Sequence, residues 1–85
     1  MAPEERHSAL GIEIRGQVGR YLNGQISFGE LQRWLAPRAW LRHAPFDREG
    51  ARLFTAVQIR LDEYAAGYWS ESLLHTSLRS VLETY

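Results

Sequence analysis

Tyr21-Leu22-Asn23-Gly24-Gln25-Ile26-Ser27 returns 43 residues later as Tyr64-Ala65-Ala66-Gly67-Tyr68-Trp69-Ser70, with Tyr, Gly and Ser matched and Leu31 matched by Leu74. Each copy reads as a helix end, a tight connection and a helix start. Glycine after the last helical residues reaches the left-handed conformation that closes a helix. Serine then offers its hydroxyl oxygen to the unpaired N–H groups of the next helix. Two such phrases predict two helical hairpins. The expected fold is therefore all-α: a compact four-helix bundle built from two antiparallel hairpins in a single domain, residues 1–85. The inference is the same whether the repeat is a duplication or a convergence on good turn chemistry.

Apolar spacing extends the reading outward. Leu10, Ile14, Val18, Tyr21 and Leu22 form one helical stripe, which predicts a first helix from after Pro3 to about Leu22. Glu4 and Glu5 suit its positive end. Gly11, Gly16 and Gly19 argue either for close helix packing or for a helix that needs its neighbours to form. Ser27-Phe28-Gly29-Glu30 is a capping box, with Ile26 placed to staple to Leu31. Phe28, Leu31, Trp34 and Leu35 follow as the apolar face, and Trp34 reads as core. Pro37 biases Ala36 away from helix, so the second helix is short and stops there or kinks. Residues 36–47, punctuated by Pro37 and Pro45, are expected to be irregular, with a turn around Arg38 to His43. Asp47 caps a third helix to about Ala66, with Leu53, Phe54, Val57, Leu61 and Tyr64 inward and Ile59 and Ala65 at the flank. The fourth begins after Ser70 and carries Leu73, Leu74, Leu78, Val81 and Leu82. Trp69, just before that cap, is placed to staple to Leu74.

Composition removes several function classes. The 85 residues have zero formal net charge, 45% hydrophobic and 12% aromatic residues, and no Cys. A strongly acidic nucleic-acid mimic and a wholly basic nucleic-acid binder are both disfavoured. Without Cys there is no disulfide framework and no thiolate metal site, and the cytosol suits the chain. No signal peptide is visible in residues 1–25, and no stretch approaches the ~18 apolar residues of a membrane span. The ten basic residues are all Arg. High-GC codon usage or selection for bidentate recognition of phosphate or carboxylate would each produce that.

Catalytic patterns are absent from the sequence. Ser27 and Ser70 are explained as caps. His75 and Ser77, two apart on one helix, point different ways, and adjacent His7 and Ser8 do not face each other. His7, His43 and His75 are scattered rather than at metal-ligand spacing, and no glycine-rich phosphate loop occurs. The expectation is a non-enzyme with no metal and no cofactor.

Charge is nevertheless polarised. From Arg33 to Arg52 five Arg face only Asp47 and Glu49, a net of +3, whereas residues 1–32 carry −1 and residues 53–85 carry −2. Aromatics interleave the basic part in Arg33-Trp34-Leu35-Ala36-Pro37-Arg38-Ala39-Trp40-Leu41-Arg42-His43. Trp and Arg are the residues most enriched at binding hot spots. Arg33, Arg38, Trp40, Arg42, His43 and Arg48 are therefore the candidate partner-binding residues. Arg48, Arg52, Arg60 and Glu63 lie off the third helix's apolar stripe and form a second surface, which a solvated helix face would also explain.

The stretch Tyr21-Leu22-Asn23-Gly24-Gln25-Ile26-Ser27-Phe28-Gly29-Glu30-Leu31, followed by Trp34-Leu35, resembles the opening of many short bacterial helical proteins, some of them similar to the colicin D immunity type. The likeness is close over about residues 14–35 and a matter of layout beyond. It implies a small all-helical protein that binds and blocks a toxin domain. Immunity proteins against nucleases usually display acidic surfaces, whereas this chain is neutral with a basic middle. The functional expectation is a non-catalytic protein–protein interaction module, immunity- or inhibitor-like, with an acidic protein face as its natural target. The alternatives are a small nucleic-acid binder using segment 33–52, a structural subunit of a larger assembly, and last an enzyme using His75 or His43. Homodimerisation is a further way to cover its exposed apolar surface.

Overall fold

A computed structural model of the chain describes residues 9–43 and 47–85. The expected start of the first helix after Pro3, the placement of Glu4, Glu5, His7 and Ser8, and Pro45 lie outside the described residues. Within them the chain is all-α: α1 Ala9–Leu22, α2 Phe28–Leu35, a 3₁₀ helix Ala36–His43, α3 Arg48–Ala65 and α4 Glu71–Thr84.

The two repeated phrases close their helices with the same hydrogen bonds. In the first, the N–H of Gly24 donates to Tyr21 O at 3.0 Å and that of Gln25 to Arg20 O at 2.8 Å. In the second, Gly67 donates to Tyr64 O at 3.0 Å and Tyr68 to Glu63 O at 2.9 Å. This is the paired pattern that ends a helix through a left-handed residue. Gly24 has φ 80° and Gly67 φ 92°, a region that costs other residues steric strain. The serines then cap as read: Ser27 Oγ accepts from the Glu30 N–H and Ser70 Oγ from the Leu73 N–H, both at 3.1 Å. Only the first is reciprocated, with Glu30 Oε1 accepting from the Ser27 N–H at 2.8 Å. In the second copy Leu73 occupies the Glu30 position and has no carboxylate to return.

Pro37 acts differently from expectation. Ala36 keeps right-handed helical dihedrals, φ −53° and ψ −50°, and its N–H still bonds to Gln32 O. Pro37 has no N–H to continue the α pattern, so α2 ends at Leu35. The chain then tightens into the 3₁₀ helix instead of becoming irregular. The tighter winding, about three residues per turn, turns Leu41 fully into the core while Trp40 stays 58% exposed.

One cluster forms the core: Ile14, Val18 and Tyr21 from α1, Leu31 and Leu35 from α2, Leu41, then Leu53, Phe54, Val57 and Leu61 from α3, and Leu74, Leu78 and Val81 from α4. These are the stripes read from spacing, plus Leu41. Trp34, Tyr64 and Leu82 pack partly buried against them. Leu73, grouped with the fourth helix's apolar residues, is 52% exposed, because its register turns it off the stripe that Leu74 and Leu78 define. α3 is the central element, packing on α4, the 3₁₀ helix and α1. Arg15 ties α1 to the end of α4 by donating from Nη1 to Leu82 O at 2.8 Å, satisfying one of the carbonyls that a helix C-terminus leaves unpaired. No described helix is long and apolar enough to cross a membrane.

Candidate functional surface

The basic middle of the chain does not fold into one patch. Arg38 turns inward on its own segment: Nη1 donates to Trp34 O at 2.6 Å, and the guanidinium lies 4.0 Å from the Trp34 ring centroid. Its donors and its flat face are thus partly used within the chain. Together with Trp34 and Arg20 it borders a cleft against α1. Arg33, Trp40 and His43 are exposed.

Arg42 and Arg48 belong elsewhere. The 3₁₀ helix lies against α3 and sets the Arg42 guanidinium 5.8 Å from the Phe54 ring centroid. That places Arg42 on an open groove of about 330 Å³ with Arg52, Thr55, Ala56, Ile59 and Arg60 of α3. Ala51 and Tyr85 complete the described lining, which holds three arginines and no Asp or Glu side chain. An adjoining hollow shares Arg52 and adds Arg48 and Glu49. Arg48, Arg52 and Arg60 follow at four- and eight-residue intervals with Ala56 between, one row along the helix. Nothing in the described residues engages the guanidiniums of Arg48, Arg52 or Arg60. Ile59, 44% exposed, adds an apolar edge.

The structure therefore merges two surfaces that the sequence presents separately, through Arg42. Arg52 and Arg60 were readable from their spacing on α3 but not distinguishable there from a solvated face. Glu63, grouped with them, does not neutralise the groove. It instead accepts from Trp69 Nε1 at 2.9 Å, joining the end of α3 to the turn that follows.

A second polar cluster lies where α1 ends and α4 begins. The Tyr21 hydroxyl donates to Glu71 Oε2 at 2.7 Å. The His75 ring meets Tyr21 edge-on at 4.9 Å, with its Nε2 3.8 Å from Glu71 Oε2. That nitrogen is buried without a hydrogen-bond partner. Burial first, and then the hydrogen bond to Glu71 and the nearby Glu71 charge, raise the Tyr21 pKa well above its ordinary 10.0. A tyrosine raised in this way keeps its proton in the fold after the unfolded chain has lost it. Its contribution to stability is whole below pH 10 and declines as the pH climbs from there toward the folded value. Alkaline titration should thus destabilise the wild type, and Tyr21→Phe, though less stable at neutral pH, should lose less stability between pH 9 and 11. Parallel urea midpoints across that range check this; equal slopes for the two proteins would refute it.

These contacts brace the end of α1 against the start of α4. No group of three or more His, Asp or Glu side chains among the described residues could hold a metal ion. Compared with protein-family models, curated proteins and solved structures, the chain matches none.

Proposed function

We propose that α1 pairs with α2 and α3 with α4 as antiparallel hairpins in one compact bundle, and that this bundle is a non-catalytic protein-interaction module of the cytoplasm, immunity- or inhibitor-like. The observation that supports it is the assembly of Arg42, Arg52 and Arg60 from two elements around one groove, with no Asp or Glu side chain among its described lining residues. Concentrating like charge costs self-repulsion, which an acidic partner face would relieve. Small apolar groups, Ala56 and Ile59, sit among the charges and give a protein partner something to desolvate, as at the centre of a protein interface.

The test is affinity capture from the native lysate after nuclease treatment, comparing wild type with the Arg42→Ala/Arg52→Ala/Arg60→Ala triple variant. Arg52 and Arg42 are exposed and Arg60 half-buried, so far-UV circular dichroism should be unchanged. A nuclease-resistant protein recovered by wild type and lost by the variant is expected. Recovery that disappears with nuclease would transfer the groove to nucleic acid, and equal recovery by both proteins would remove the groove from consideration.

A further inference from the structure

We infer that the groove's occupant is an acidic amphipathic α-helix of the partner protein, laid along α3. This rests on the interaction reading above and specifies the partner's shape.

Three features point to a helix. First, the groove runs along an α-helix whose own N–H and C=O groups are consumed internally. An extended peptide needs free backbone partners to add onto, and α3 offers none. Second, Thr55 and Ala56 are small side chains that leave a depression along α3, into which the ridge of another helix can settle. Third, the charges are spaced in helical units. Arg52 and Arg60 are eight residues apart, about 12 Å along the axis, with Ala56 midway. A partner helix with glutamates eight residues apart and an apolar residue midway presents the same spacing. Its midpoint would meet Ala56 while its ends meet the two guanidiniums. Arg42, on the facing 3₁₀ helix, takes a carboxylate on the partner's other flank. Nucleic acid would satisfy the charges but leave Ala56 and Ile59 without apolar contact.

The test separates shape from charge. The probe is a labelled, alanine-rich helical peptide with a leucine flanked by glutamate four residues away on either side, titrated with the full chain by fluorescence anisotropy. Controls are the same composition interrupted by prolines, and an oligothymidine. Two variants are compared. Arg52→Glu reverses one charge on an exposed site. Thr55→Arg adds positive charge while filling the floor, and Arg suits a helix better than Thr. The helical peptide should bind wild type, weaken about tenfold with Arg52→Glu, and weaken with Thr55→Arg also. A purely electrostatic surface would instead bind more tightly after Thr55→Arg, and that result would overturn the inference. If the proline-interrupted peptide binds as well as the helix, the helical occupant is refuted while the acidic-protein reading stands. If oligothymidine alone binds, both readings fail, and if no probe binds, the groove is not a docking site for an acidic helix.

Discussion

Phe54→Ala should be among the most destabilising single truncations in this protein. Phe54 is the largest of the fully buried side chains, on the helix that packs against α1, α4 and the 3₁₀ helix alike. Truncating a buried Phe to Ala costs roughly 3–5 kcal/mol, from lost transfer energy and from the cavity left behind. A domain this size holds about 4–13 kcal/mol in total. The urea midpoint should fall by about a quarter or more with an unchanged slope. Phe54→Leu keeps most of the volume and should cost less than about 1.5 kcal/mol, so it isolates a second role. The Phe54 ring lies under the Arg42 guanidinium, and removing its face takes away an attraction of about 0.5–1 kcal/mol. Phe54→Leu should therefore stay folded yet bind an acidic ligand more weakly. A fully stable Phe54→Ala would mean that the core is not closed around α3.

The opposite sign is expected on α1. Gly16 and Gly19 are interior helical residues, and a Cβ at either would meet nothing within 4 Å. Of the two explanations that three glycines in one helix allow, close packing does not hold for these two. What remains is a helix whose own propensity is poor and whose order comes from its neighbours. Gly16→Ala/Gly19→Ala should then gain about 1 kcal/mol per site, and the pair should raise the melting temperature by roughly 10 °C. Gly50 is the control that makes the argument local. A Cβ there would sit 2.6 Å from Asp47 Oδ2, whose Oδ1 accepts from the Gly50 N–H at 2.9 Å as the cap of α3. The same substitution at Gly50 should bring no gain, because it must displace the cap. Calorimetry of the double variant decides the matter, and an unchanged or lowered melting temperature would show that the glycines serve a contact.

What was legible in the sequence, and what was not, divides along the range of the forces involved. Ser27, Ser70, Asp47, Gly24 and Gly67 were readable because a cap or a left-handed residue acts on atoms a few positions away. The buried stripes were readable because spacing alone orients them. The 3₁₀ helix was not, since proline's known bias on Ala36 is a preference that the packing of Leu41 outweighs. Nor was the groove. Arg42 and Arg60 are far apart in the chain, and their approach follows from how the 3₁₀ helix lies on α3, which no local pattern encodes. Arg38, four residues before Arg42 and chemically identical, went instead to the face of Trp34.

The groove's charge has a chemical permanence. Guanidinium groups keep their proton throughout the range in which proteins stay folded, and no lysine is present that acylation could neutralise. None of the groove's described lining residues is a histidine. The surface has no off-switch of its own. Whatever releases a bound acidic helix must act from outside, by screening ions or by protonating the partner's carboxylates.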